Sequence, residues 1–165
     1  MAAEPRVLVS ACLLGERVRY HGGDAFIDHP ILRRWLSEGR VVPLCPEVEG
    51  GLPTPRPPAE IQHGGGAAVL LRSAAVRTRD GRDVTPQFLA GADAAVRAVR
   101  VHEITVAVLK DGSPSCGSTM IHDGSFSGAR LSSDGVTAAA LRAVGVRVFS
   151  EHELEAADAA LRNRK

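Results

Sequence analysis

Aromatic side chains are scarce, at 4% of 165 residues, and that scarcity speaks against the base-stacking platforms of single-stranded nucleic-acid binders. Lysine is nearly absent, with Lys110 and Lys165 the only two. The net charge of +1 offers no basic field for DNA and no footprint for an acidic membrane surface. No apolar run approaches the ~20 residues needed to cross a bilayer. Met1 to Pro5 lack the basic-then-apolar pattern of a secretory leader. Only three cysteines are present, an odd number without secretion signals, which argues against a disulfide framework. These absences leave a cytoplasmic protein with reduced thiols as the expectation. What is there is ordinary for a globular chain, 44% apolar and 24% charged. Its length fits one domain spanning 1–165 with a core of its own.

Val7-Leu8-Val9 ending in Ser10-Ala11-Cys12 reads as a buried first strand. A loop from Gly15 through Asp24 comes next, then a helix over Pro30–Leu36 stopped by Gly39. Val41-Val42-Pro43-Leu44-Cys45 reads as a second buried strand, with Pro43 expected near the strand end. Five prolines between Pro46 and Gly66 predict a long, ordered, irregular segment of functional character. Residues 67–84 suggest a β-hairpin with arms Ala68–Leu71 and Ala75–Arg77 and an Asp80-Gly81 turn. Thr85-Pro86 reads as an N-cap and first helical residue, leading a stripe through Phe88, Leu89, Ala92, Ala95, Val96 and Val99. Ile104–Leu109 is the clearest buried strand, and it runs into Lys110-Asp111-Gly112-Ser113-Pro114-Ser115-Cys116-Gly117. Ser132 or Ser133 caps a helix through Val144, Val146–Phe149 gives a last strand, and Glu151–Asn163 a final helix. Strands alternating with helices specify an α/β fold: a mostly parallel, Rossmann-like sheet with helices on both faces and a small β-hairpin insertion.

Cys12, Cys45 and Cys116 each stand at or just beyond the C-terminal end of an expected strand. Ligand sites of open parallel sheets lie along that edge, so three distant cysteines can meet there. A single cysteine is as often a small buried hydrophobe; three beside Gly, Pro or Ser, where strand gives way to loop, are harder to read as packing. Zinc lacks the compact cysteine spacing of a ribbon, although His21, His122 or Glu47 could supply a fourth ligand. A catalytic cysteine with a histidine base stays open, with no pair marked out. Thiolates are also the usual holders of iron–sulfur clusters, and three of them around a four-iron cluster would leave one iron open.

The same residues carry a family likeness. Val9-Ser10-Ala11-Cys12-Leu13-Leu14-Gly15, the run from Cys45-Pro46-Glu47-Val48-Glu49-Gly50-Gly51 to Ala59-Glu60-Ile61, and Leu109–Gly117 resemble, in order, three motifs of the domain-of-unknown-function 523 (DUF523) family. Asp123–Gly128 and Gly135–Ala138 match that family's pattern beyond its third motif. Its members with an assigned activity are thiouracil desulfidases of the TudS type. The resemblance implies a [4Fe-4S] cluster held by Cys12, Cys45 and Cys116, with an open iron taking the sulfur of a thiolated pyrimidine. Water then replaces sulfur at the ring carbon without net redox change, giving uracil and hydrosulfide.

On that reading Glu47 is the candidate base, with Glu49 and Glu60 as weaker alternatives. Ser113 and Ser115, flanking Pro114, orient water or the base, unless they serve only the turn. Ser10 is placed to hydrogen-bond a cluster sulfur. Arg56 is expected either to donate to a substrate carbonyl or phosphate or to pair with a carboxylate. Tyr20, His21 and Asp24 help close the pocket, and Asp111 is a further polar candidate. The implied partner is a small thiolated nucleobase or nucleotide, neither DNA nor membrane. Two other readings stay open: a sulfur-transfer or tRNA-thiolation accessory, which would consume sulfide, and a metal- or cluster-binding module without catalysis.

Overall fold

The computed structural model describes residues 4–163; the starting Met1 and the terminal Lys165 lie outside them. In chain order the elements are β1 (Val7–Ser10), a 3-10 turn (Ala11–Leu14), α1 (Pro30–Ser37), β2 (Val41–Leu44), α2 (Pro46–Glu49) and β3 (Ala59–Gln62). Then come α3 (Gly66–Leu70), β4 (Ala75–Thr78), α4 (Thr85–Val101), β5 (Val106–Leu109), β6 (Ile121–His122) and β7 (Arg130–Leu131). α5 (Val136–Ala143), β8 (Arg147–Ser150) and α6 (Leu154–Arg162) complete the order.

Four strands form a parallel sheet in the order β2-β1-β5-β8, with Val7 opposite Val41, Leu8 opposite Ala107 and Leu109 opposite Ser150. Side chains alternate across a strand, so the two faces draw on different residues of the same apolar runs. Val7, Val9, Val106 and Val108 pack with Leu32 and Trp35 of α1 and Leu154, Ala157 and Leu161 of α6. Leu8, Ala107 and Leu109 face the other way, onto Ala95 and Val99 of α4 and Ala138 and Leu141 of α5. Both faces are covered, which is why these strands read as continuous rather than alternating apolar runs. Pro43 sits in β2, an edge strand, where a missing N–H breaks no ladder on the outer side. Among the described residues no helix is long and apolar enough to cross a membrane.

Four local expectations are corrected. The arms of the 67–84 hairpin do not pair: 66–70 is the short helix α3, and β4 pairs antiparallel with β3, Ala59 opposite Thr78. An Ala-Ala-Val-Leu-Leu run fits a strand and a buried helical turn equally, and packing of Val69 beside Phe88 and Val136 decides for the helix. The Asp80-Gly81 turn itself forms, with Gly81 N donating to Thr78 O. The proline-rich 46–66 segment is ordered but contains α2 and β3, so it is not wholly irregular. Thr85 does not cap α4: its hydroxyl accepts from Val76 N of β4 at 2.9 Å, and Asp83 accepts the Thr85 N–H instead. The cap of α5 is Gly135, not Ser132 or Ser133, because the first turn of α5 donates its N–H groups to Pro114 and Ser115.

One buried ion cluster ties α6 to α1. Asp158, 5% exposed, accepts from Trp35 Nε1 at 3.1 Å, Arg34 at 2.5 Å and Arg162 at 2.7 Å. Burial alone would push its carboxyl up, but these donors and the two guanidinium charges bring it below the ordinary carboxylate range. A carboxyl with a depressed folded value stabilises the fold above its unfolded pKa, and that contribution fades as pH falls through the folded value. Asp158→Asn is therefore expected to lower thermal stability by about 2 kcal/mol at neutral pH, the weight of hydrogen bonds to a charged group. Wild type and variant should converge in thermal scans run at progressively lower pH, below about pH 4.

Candidate active site

Cys12 lies in the turn after β1, Cys45 directly precedes α2 after β2, and Cys116 comes after β5. Because β2, β1 and β5 are adjacent, their C-terminal ends bring all three thiols to one cavity of about 510 Å³. Burial raises the Cys12 thiol to about 11 and Cys116 to about 12, and raises Cys45 as well. The thiols also oppose one another's ionisation: Cys45 acts on Cys12, and both act on Cys116. Hydroxyls offset part of this at Cys116, where Ser115 Oγ stands 3.6 Å from the sulfur and Ser10 also reaches it. Ser10 Oγ in turn accepts from Lys110 N at 2.9 Å, fastening β1 to the loop after β5.

No three His, Cys, Asp or Glu side chains among the described residues stand close enough together to share one metal ion. Two buried thiols and a half-buried one set around a cavity suit instead a group carrying several metal atoms, whose positive charge would offset what burial and mutual repulsion cost the thiolates.

Glu47 sits in the first turn of α2, its side chain 14% exposed, with each carboxylate oxygen occupied. Oε1 accepts from Arg56 Nε at 3.0 Å, and Oε2 accepts from Ser115 Oγ at 2.8 Å. Ser113 Oγ is 3.0 Å from Ser115 Oγ and accepts the N–H groups of Ser115 and Cys116 at 3.2 and 2.9 Å. Once Ser115 donates to Glu47, its oxygen is left to accept from Ser113, so the hydroxyls form a chain directed at the carboxylate. The Ser113–Cys116 turn is pinned from below by α5, where Val136 N donates to Pro114 O, and Thr137 N to Ser115 O at 2.8 Å. A Cβ at Gly135 would fall 2.5 Å from the Ser115 carbonyl carbon, so only glycine permits this seating.

The other expected residues fall into place differently. Arg56 lines the cavity, yet four hydrogen bonds already engage it: Glu47, the Pro53 carbonyl, the Thr54 hydroxyl and the Val18 carbonyl at 2.8 Å. With five N–H groups in all, the carboxylate-pairing alternative describes it. Asp111 accepts the backbone N–H groups of Gly112, Ser118, Thr119 and Met120 and the Thr119 hydroxyl. Against the opposing effect of burial, those donors hold its carboxyl down at about 2, as an organiser of the loop. Glu60 is committed to N–H groups of the 123–128 loop, and Glu49 is exposed. Tyr20 lines the cavity, edge-on to His21 with ring centroids 4.9 Å apart. His21 Nδ1 accepts from Gly23 N, and Asp24 accepts from Phe26 N, so both serve their own loop.

Several cavity residues have no role on sequence grounds. Lys110 pairs with buried Glu151 at 2.9 Å, and both act electrostatically on Cys12. Arg19, Arg79, Arg130 and Phe126 also line the cavity, as does His122, weighed above as a fourth zinc ligand. Lys110 and Phe126 stand within family motifs; Arg79 and Arg130 carry no local signal at all.

The model of the 2-thiouracil desulfurase family matches residues 7–153. The chain is 43% identical over 148 residues to the uncharacterized protein YbbK of Bacillus subtilis (strain 168), covering 90% of this chain and 97% of that one. It is also similar to a solved structure of a [4Fe-4S]-dependent thiouracil desulfidase, TudS (DUF523Vcz). That likeness has a TM-score of 0.88 and 44% identity and covers 96% of this chain and 98% of that one.

Proposed function

The chain belongs to the 2-thiouracil desulfurase family and is a C–S bond-cleaving enzyme, and from this premise we propose that it desulfurates a thiolated pyrimidine by hydrolysis. Thiocarbonyl plus water gives carbonyl plus hydrosulfide, with no change in oxidation state. The substrate class is 2- or 4-thiouracil, free or as a nucleotide. In this reading residues 1–165 act as one catalytic unit, in the cytoplasm with reduced thiols.

Cys12, Cys45 and Cys116 would hold a [4Fe-4S] cluster, which when bound supplies a Lewis-acidic iron without a protein ligand to polarise the C–S bond. Glu47 takes the proton of the attacking water, from within the same cavity as the three thiols. Arg56 and Ser115 fix both carboxylate oxygens, so the base is oriented before substrate arrives. Ser113 and Ser115 relay or orient the water proton through their directed chain. Ser10, whose hydroxyl also reaches the Cys116 sulfur, donates toward it and steadies its thiolate. The observation that carries the reading is Glu47 bonded to Ser115 beside Cys116, in one cavity with all three thiols.

Anaerobically reconstituted protein should be brown, contain four irons per chain, and release sulfide from thiouracil. Cys12→Ala, Cys45→Ala and Cys116→Ala should each lose colour, iron and turnover together. Colourless protein holding stoichiometric zinc would overturn the cluster, and a protein that consumes sulfide rather than releasing it would turn the reading to sulfur transfer.

A further inference from the structure

Phe126 holds a left-handed backbone, φ +57°, a conformation that bulky side chains rarely adopt. It lies in the loop between β6 and β7, and three residues on or beside the paired strands β3 and β4 hold that loop. Buried Glu60 of β3, 8% exposed, accepts the N–H groups of Gly124 and Phe126 at 2.9 and 3.1 Å through one carboxylate oxygen. Arg79, just after β4, sets its guanidinium 5.6 Å from the Phe126 ring centroid. Gln62, also of β3, donates to Gly124 O at 2.9 Å. A buried carboxylate devoted to one loop, and a phenylalanine held against its backbone preference, are maintained by their surroundings rather than by local preference. Phe126, Arg79 and Glu60 all line the cavity that holds the three thiols.

We propose that Phe126 is the stacking wall for the pyrimidine ring, and that Glu60 is the residue that positions it. The inference rests on the desulfuration reading and adds the group that sets ring plane and ring specificity. Arg79 stands over one face of the phenyl ring, and the half-buried ring itself lines the cavity in which a flat ligand would stack on it. A pyrimidine has a π-face whatever its substituents, so stacking tolerates a thiocarbonyl at either ring position and fixes the plane in which that bond points.

Holoenzyme variants test this. Phe126→Leu keeps apolar volume and loses the π-face. Its KM for thiouracil should rise about 10-fold, within the range seen for base–aromatic stacking, with kcat and iron content unchanged. Calorimetric titration with uracil should show affinity weakened by a similar factor, and Phe126→Tyr should restore both. Phe126→Gly separates this role from packing: glycine suits the left-handed backbone, so thermal stability should hold or rise while KM rises as in the leucine variant. Glu60→Ala should raise KM, and Glu60→Gln, which keeps an acceptor oxygen, should recover it. A leucine variant with wild-type KM and wild-type uracil affinity overturns the proposal, as does a glycine variant that is less stable with KM unmoved. Wild-type holoenzyme that releases no sulfide from thiouracil sinks the desulfuration reading itself, and the uracil titration then decides alone for or against the wall.

Discussion

Glu47→Gln is expected to retain the iron content and absorbance of the wild type while kcat falls by about 10³, within the usual contribution of a positioned general base. The amide keeps the shape of the side chain and can still accept from Arg56, but it cannot take a proton. Its NH₂ group would face Ser115 Oγ, where Oε2 accepts at 2.8 Å, and the hydroxyl must then turn its proton away. The chain from Ser113 would point the wrong way, so the single change removes both the proposed base and the direction of the proposed relay. Single-turnover sulfide release, measured beside an iron assay on the same sample, separates this outcome from loss of the cluster. Full activity in the glutamine variant would exclude Glu47 as the base.

Gly91→Ala should be among the most damaging conservative changes in the described residues. Glycine to alanine inside a helix ordinarily stabilises by up to about 1 kcal/mol. Here a Cβ would fall 2.0 Å from the Pro46 carbonyl oxygen, and across the same contact a Cβ at Gly50 would fall 1.9 Å from Gln87 O. α2 and α4 thus meet backbone to backbone, and no side chain can move aside to relieve the collision. Separating them should cost about 3 kcal/mol, at the upper end for overpacking, lowering the melting temperature by roughly 6–12 °C in a chain of this size. Since α2 begins beside Cys45 and carries Glu47, iron content and turnover should fall with stability. A Gly91→Ala protein with wild-type melting temperature and full iron would refute this account of the packing.

How far the sequence can be read depends on the range of the forces involved. Val7–Val9 and Ile104–Leu109 announce buried parallel strands because both of their faces are covered. Three cysteines at strand ends become legible as a group through topology alone: parallel strands share an edge. The 67–84 hairpin misleads because Ala67–Leu71 carries no period, so its conformation depends on Val69 meeting Phe88 and Val136, contacts that no local pattern encodes. Arg56 stays between two jobs on sequence grounds because its partners Glu47 and Val18 lie 9 and 38 residues away, at separations that no helical or strand period encodes. Glu60 competes as a base because a carboxylate in a motif looks the same whether it accepts protons or backbone N–H groups. Its partners lie 64 and 66 residues away.

β1 pairs with β2 on one side and with β5 on the other, and this arrangement dictates an order of events during synthesis. The β1–β2 half, with Cys12 and Cys45, can pair while the chain is still emerging from the ribosome, because the two segments are near neighbours in sequence. The third thiol arrives only after a long loop closes to set Val108 beside Val9, and non-local closure of that kind is slow. A nascent chain therefore exposes two of the thiols well before it can offer three. On the proposed reading, loading of a cluster waits for the docking of β5, and premature capture of a stray thiophilic ion by the unfinished pair is the error this topology invites.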